Sequence, residues 1–299
     1  MKPYRIISDG SCDMPEELAA KKNVTIVPFY VTMDERTYLK EGVDISKAEF
    51  YRWMLDNPKT LPRSSTPSVA DFLEAFTRAA EAGEDVLCIC ITKKFSSSCD
   101  VAETAAGLLA ETHPETKVRV INAMVNTVCQ ALVVLEAARI RDMGADLDRC
   151  AAAVEAIRPS ARIFFTIGSM DYLRHGGRIG KLAGIAGSIL GIRPLITLKE
   201  GEIFPSGLSR SRKPSLDKVM NLAVKYITAT FKSPADYSLV VGYGADFHEA
   251  VSFRDNLMES LARVGHKLVV PIFHIGAVIS VHTGPLPLGV AVVRRAALA

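Results

Sequence analysis

Residues 85–91, Asp-Val-Leu-Cys-Ile-Cys-Ile, are apolar at every position after the first. A strand with one face in water alternates polar and apolar side chains, so an unbroken apolar run has to be covered on both faces. That requirement points to a central strand of a parallel sheet with helices above and below it. The surrounding sequence repeats the pattern. Residues 4–8 are a short β-rich run followed by Asp9-Gly10-Ser11-Cys12-Asp13, and then Pro15, Glu16 and Glu17 suit the first turn of a helix. Further strands are predicted over 24–31 and 117–121, and helices over 69–82, 100–110, 127–143 and 148–157. Ser46 and Glu49 have the spacing of a capping box for a helix carrying Phe50, Trp53 and Met54. Strand–loop–helix alternation of this kind builds an open α/β sheet, whose ligands sit outside the carboxyl ends of the strands.

The second half reads differently. A strand over 162–167 leads into residues 169–203, where Gly180, Gly184, Gly187 and Gly191 recur every three or four positions. On a helix over 179–190 that spacing makes a flat face that another backbone, or a ligand chain, can approach closely. Arg193-Pro194 would end the helix. Strands at 192–198 and 203–208 look antiparallel across a Glu200-Gly201 turn. A basic segment, Arg210-Ser211-Arg212-Lys213-Pro214, precedes a helix over 215–230, then come a strand over 237–242, a helix over 246–264 and strands over 267–273 and 288–293. Mixed pairing argues for a second α/β unit. A chain of 299 residues is long for one core, and we expect two domains, residues 1–160 and 161–299.

Composition narrows the function. Thirty-six basic against 33 acidic residues leave a net charge of only +3, without long like-charge runs, so there is no nucleic-acid footprint. Residues 268–293 contain no Asp, Glu, Lys or Arg, but Pro271, Pro285 and Pro287 with Gly276, Gly284 and Gly289 break the run into pieces too short to span a bilayer. It reads as buried strands and turns. The opening residues lack a continuous apolar signal core. The six cysteines include no C-x-x-C pair, which suits unpaired buried thiols in a reducing cytoplasm. Hydrophobic residues at 48% imply a large core or apolar surface reserved for a greasy ligand.

Candidate chemistry lies in loops. Ser64-Ser65-Thr66-Pro67 precedes the helix at 69, Lys94-Phe95-Ser96-Ser97-Ser98 follows the strand at 85–91, and Ile279-Ser280-Val281-His282-Thr283-Gly284-Pro285 sits near the C-terminus. An isolated serine before a helix is ordinarily an N-cap, and His113, His175, His248, His266 and His274 read as ordinary core or loop histidines. A G-x-x-x-x-G-K-[ST] loop is absent, because His175 stands where its first glycine would be, and Phe247 breaks a dinucleotide fingerprint at Gly242-x-Gly244. A serine hydrolase using Ser64 or Ser96, His282 and an acid such as Asp9 is the competing reading. No G-x-S-x-G elbow is present, though a triad can assemble from distant loops.

Residues 171–203, DYLRHGGRIGKLAGIAGSILGIRPLITLKEGEI, closely resemble the core signature of the DegV family of bacterial fatty-acid-binding proteins. Other parts of the chain match in order. Ser64-Ser65-Thr66-Pro67 resembles the family's Thr-Ser-x-Pro, Ser96-Ser97-Ser98 stands at its Ser-Gly-Thr, His282-Thr283-Gly284-Pro285 resembles its His-Thr-Gly-Pro-Gly, and Asp9 with Ser11 resembles its Asp-Ser start. The chain departs at Ser64, at Ser97-Ser98, at Leu286 in place of the final glycine, and at Asn122-Ala123 in place of Asp-Ser. The resemblance implies a two-domain DegV-like α/β fold: an N-terminal parallel sheet with flanking helices and a C-terminal mixed domain. It implies a non-catalytic carrier of one long-chain fatty acid, without a cofactor. The tail would lie in an apolar tunnel between the domains. Ser64, Ser65, Ser96, Ser97, Ser98, His282 and Thr283 would ring the carboxylate, and Gly176, Gly177 and Arg178 would shape the wall and entrance. It further implies an ATP-dependent fatty acid kinase as partner, which phosphorylates the carboxylate to an acyl phosphate, with Arg210 and Arg212 as docking candidates. Transient contact with a membrane surface is compatible with that role. A buried carboxylate needs donors or a partner charge, and hydroxyls with helix N-terminal N–H groups supply donors without a salt bridge.

Overall fold

A computed structural model describes residues 2–185 and 192–297. In chain order the first half holds β1 (Tyr4–Asp9), α1 (Glu16–Lys21), β2 (Val24–Val27), β3 (Tyr30–Thr32), β4 (Leu39–Lys40), α2 (Lys47–Asp56), β5 (Arg63–Ser65), α3 (Val69–Glu81), β6 (Asp85–Cys90), α4 (Ser98–Thr112), β7 (Val118–Asn122), α5 (Thr127–Asp142) and α6 (Leu147–Ile157). The second half holds β8 (Arg162–Thr166), α7 (Asp171–His175), β9 (Arg193–Lys199), β10 (Glu202–Ser209), α8 (Arg212–Thr230), β11 (Tyr237–Tyr243), α9 (Phe247–Arg263), β12 (Ile272–His274), α10 (Ala277–Thr283) and β13 (Leu288–Arg294).

Three sheets result. A parallel sheet runs β2-β1-β6-β7, a mixed sheet runs β10-β9-β8-β13-β11-β12, and a small antiparallel sheet runs β4-β3-β5. β6 is buried at every position and central, as its apolar run requires. Alternate residues of the parallel sheet go to opposite faces. Ile7, Val86, Cys88 and Cys90 pack with Phe72 and Phe76 of α3 and Leu109 of α4, while Ile6, Leu87 and Ile89 join the core containing α5. The mixed sheet divides the same way. Phe164, Leu239, Val241 and Val290 pack under α8 and α9, and Ile163, Val240, Ala291 and Val293 face α5. α5 is therefore the shared middle layer, and 12 of its 16 residues are buried. Each fully buried aliphatic side chain there contributes roughly 1.5–3 kcal/mol.

Several elements differ from expectation. The run over 24–31 divides between two sheets, as β2 and β3, at Pro28, which lacks the N–H a continuing ladder needs. Of the helix expected over 179–190, Gly180–Ile185 is a 3-10 helix, and Gly187, Leu190 and Gly191 lie outside the described residues. The strand expected over 267–273 is confined to Ile272–His274. The loop expected around Ile279–Thr283 is instead the helix α10, rich in β-branched residues. Seven residues cannot hold a helix alone, and α10 takes its N-terminal partners from distant carboxylates. The Gly276 N–H donates to Asp13 Oδ1 at 2.7 Å, the Ala277 N–H to Glu41 Oε1 at 2.7 Å and the Val278 N–H to Glu41 Oε2 at 3.1 Å. Among the described residues no helix is long and apolar enough to cross a membrane.

Candidate functional site

A cavity opens where the carboxyl ends of β2 and β6 meet the mixed sheet. About 930 Å³ of it is free of protein atoms, its open mouth included. Apolar side chains from both halves form most of its wall, including Phe29, Ile91, Val128, Phe165, Leu198 and Ile279. Its polar residues are Ser64, Thr66, Ser96, Arg178, His282 and Thr283, with Asn126 and Thr127 at the start of α5.

Strand geometry sorts the first hydroxyl loop. β5 pairs antiparallel with β3, Tyr30 opposite Ser65 and Val31 opposite Ser64. Successive side chains alternate across the strand, so Ser64 and Thr66 reach the cavity while Ser65 turns outward and is exposed. Thr66 was not singled out as a site residue from the sequence, although this alternation would have selected it. Its Oγ1 lies 3.3 Å from Ser96 Oγ and 3.5 Å from Ser97 Oγ.

The second loop also divides. Ser96 lines the cavity and its Oγ accepts the Ser98 N–H at 3.2 Å, capping the start of α4. Ser97 is exposed at the rim. Ser98 does not line the cavity. It is fully buried and its Oγ donates to Asp9 Oδ2 at 2.7 Å. Asp9, at the end of β1, also accepts from the Ile91 N–H, Gln130 Nε2 and the Ser11 hydroxyl. A buried carboxylate with this many donors is a rivet between β1, the loop after β6 and α5, and it explains the Asp9–Ser11 pairing without assigning it to a ligand.

The third element is the C-terminal turn of α10. His282 Nε2 lies 3.2 Å from Ser64 Oγ, while Nδ1 is buried without a hydrogen-bond partner among the described residues. Burial, with smaller repulsion from Arg178 and His175, pushes the His282 pKa down to about 4, so its ring is neutral near pH 7. Thr283 Oγ1 donates back to the Ile279 carbonyl at 3.1 Å. Gly176 packs directly against the imidazole, and Gly177 adopts a φ of +66° at the surface. Neither lines the cavity. Arg178 does, and its exposed guanidinium donates to the Phe95 carbonyl from Nε (3.0 Å) and Nη2 (2.9 Å) and to the Gly176 carbonyl from Nη1 (2.6 Å). It joins the segment after α7 to the loop bearing Ser96. Of the basic pair beyond β10, Arg210 is exposed, but Arg212 is bound to Glu249 and donates to the Leu286 carbonyl at 2.9 Å. That makes Arg212 a brace between α8, α9 and the loop before β13.

Among the described residues a hydrolytic triad is not assembled. His282 Nδ1 has no acid beside it, and the acceptors of Asp9 are occupied elsewhere. The arrangement suits holding an anion by neutral donors beside an apolar chamber.

A sequence model of the family described as "Uncharacterised protein, DegV family" matches residues 3–295. The chain belongs to the DegV family. A DegV domain-containing protein of Clostridium perfringens is 30% identical over 291 residues, covering 97% of this chain and 99% of its own. Among solved DegV-like structures, a stearic acid-binding protein from Eubacterium ventriosum superposes with a TM-score of 0.93 at 38% identity, over 98% of both chains. A DegV family protein from Thermus thermophilus, described for its fatty acid binding, gives a TM-score of 0.86 at 25% identity, over 98% of this chain and 100% of its own. The layered sheets thus belong to the DegV fold.

Proposed function

We propose that this chain carries one long-chain fatty acid, with the tail in the apolar cavity and the carboxylate at its polar end. The observation that carries the reading is the segregation of that cavity. A largely apolar wall meets a cluster of neutral polar groups (Ser64, Thr66, Ser96, His282 and Thr283), with Arg178 beside them and Asn126 and Thr127 at the start of α5. An ionised head group in a dry site requires such donors, and the similar stearic acid-binding protein of Eubacterium ventriosum supports the ligand class. Under this reading residues 1–160 and 161–299 act as two domains. The first supplies the hydroxyl loops, Ser65, Ser97 and Ser98 supporting or bordering them, and the second supplies Gly176, Gly177, Arg178, His282 and Thr283.

The chain is then a presenting subunit, not an enzyme. Neutral donors orient the carboxylate and leave an oxygen nucleophilic, which suits phosphorylation by a separate ATP-dependent fatty acid kinase in the cytoplasm. Exposed Arg210 is the docking candidate, with Arg212 bracing the surface behind it. Organic extraction of the freshly purified protein followed by mass spectrometry tests the carrier reading. One fatty acid per chain is expected. Protein that is empty and takes up no added fatty acid overturns it. Acyl phosphate formed only when kinase, ATP and loaded carrier are combined tests the presenting role.

A further inference from the structure

The start of α5 brings polar groups to the cavity away from the hydroxyl loops. Asn126 and Thr127 line it together with Val128, Ile91 and Ile275. The chain enters α5 with a φ of +48° at Thr127, a region that β-branched residues rarely adopt. A strained residue of this kind costs about 1–3 kcal/mol and persists only where its surroundings hold it. Asp13 supplies the hold: one oxygen accepts the Thr127 hydroxyl at 2.5 Å and the other accepts the Gly276 N–H. The Thr127 hydroxyl is therefore engaged, but the Asn126 carboxamide is not. Asn126 occupies the N-cap position, where an asparagine side chain ordinarily accepts an N–H of the first turn, yet it makes no such bond. Among the described residues its carboxamide has no hydrogen-bond partner.

This amide lies well along the cavity from the head-group cluster. Asp13 ties Thr127 to Gly276, the residue before α10, and His282 is near the other end of that helix. Six residues at a helical rise of about 1.5 Å set the two ends roughly 9 Å apart. A ligand whose carboxylate is held beside Ser64 and His282 therefore brings the middle of its tail, not its head, toward Asn126. A plain alkyl chain offers the amide nothing, and polar groups that a ligand leaves unpaired cost affinity. A hydroxyl on the tail gives it a partner, because a carboxamide carries two N–H donors and an accepting oxygen.

We infer that Asn126 is a specificity residue for the tail: its carboxamide recognises a hydroxyl near the middle of a long-chain fatty acid, so that a mid-chain hydroxy acid is preferred cargo. The inference rests on the fatty-acid reading above. Its alternative is that Asn126 meets only water at the cavity wall. Water would serve the amide whichever acid is bound, and replacing Asn126 would then shift both acids alike. A recognising amide tells them apart.

The test measures binding of octadecanoate, and of the same acid with a hydroxyl at its tenth carbon, to the delipidated full chain and to its Asn126→Leu variant. Leucine keeps the size of the side chain and removes its polar atoms. The unsubstituted chain is expected to bind the hydroxy acid at least as tightly as octadecanoate. In Asn126→Leu the hydroxy acid should lose at least tenfold, while octadecanoate changes less than twofold or tightens. The isomer hydroxylated next to its carboxylate controls for position and should respond to the substitution as octadecanoate does. Asn126→Ala removes the same atoms with a smaller side chain, and its expected outcome is the same, so a poorly folding leucine variant leaves the inference testable. Equal changes for the two acids in a folded variant overturn it, as does an unsubstituted chain that binds octadecanoate and rejects the hydroxy acid. Failure of the unsubstituted chain to bind any of the three defeats the carrier reading instead.

Discussion

The Nδ1 atom of His282 faces the bare Cα of Gly176, where a Cβ would lie only 2.0 Å from it. The contact joins the glycine pair after α7 to the last turn of α10, and it leaves the imidazole a single orientation, with Nε2 toward Ser64.

Gly176→Ala is therefore expected to rotate or expel the imidazole. Fatty acid affinity should fall about tenfold, equivalent to about 1.4 kcal/mol, in a displacement titration with a fluorescent fatty acid. Because Gly176 is only half-buried, the thermal midpoint should change little. Unchanged affinity would show that His282 does not take part in head-group binding.

Two serines separated by one residue should behave in opposite ways. Ser96→Ala removes a cavity hydroxyl and is expected to weaken ligand binding about tenfold with little effect on stability. Ser98→Ala strips one buried donor from Asp9 and is expected to cost about 1–3 kcal/mol of unfolding free energy, with affinity nearly intact. Paired urea unfolding and binding curves distinguish the two. The assignment fails if the effects are exchanged.

Stability should depend on two partly buried histidines. Burial pushes His274 and His282 down to about 4 from 6.5. The unfolded chain then binds protons that the folded chain refuses, so this contribution is complete above pH 6.5 and is lost as pH falls toward 4. Each histidine adds a slope of at most about 1.4 kcal/mol per pH unit. Asp13 and Glu41 act with the opposite sign. Burial raises both, against the pull of Lys47, so their contribution improves as pH falls through the raised range. Urea unfolding between pH 6.5 and 4.5 should show a shallower fall for His274→Gln than for the unsubstituted chain. Equal slopes would mean that His274 is protonated alike in both states.

Glu41→Ala should release the start of α10. It leaves the Ala277 and Val278 N–H groups without their acceptor, at a cost of about 1–3 kcal/mol each. Hydrogen exchange should quicken at those two amides before it does in β13. Since α10 carries His282 and Thr283, ligand affinity should fall as well. Protection unchanged at both amides would refute the capping role.

Much of the architecture was readable from local pattern. The apolar run of β6 required its central position, Ser46 and Glu49 do form the capping box of α2, and the Glu200-Gly201 turn joins β9 and β10 antiparallel. What escaped depends on distant partners. α10 resembles a strand by composition because Val278, Ile279 and Val281 are β-branched, and it is helical because Asp13 and Glu41 reach it from more than 230 residues away. Ser98 sits in a hydroxyl-rich loop like Ser96, yet only the position of Asp9 reveals which of them faces inward. Arg212 reads as a docking candidate beside Arg210, and only Glu249, 37 residues further on, marks it as a brace. The apolar wall carried no motif, since its residues share only the property of being apolar.

The position of β13 bears on how the chain is made. This strand, residues 288–294, lies between β8 and β11 in the interior of the mixed sheet, and its inner face rests on α5. During synthesis, α5 emerges more than 140 residues before the strand that completes its cover. One greasy flank of that helix stays open throughout the interval, so the cavity cannot take shape until β13 has been translated. A nascent chain arrested before residue 288 would present a sticky surface to chaperones and could not hold cargo.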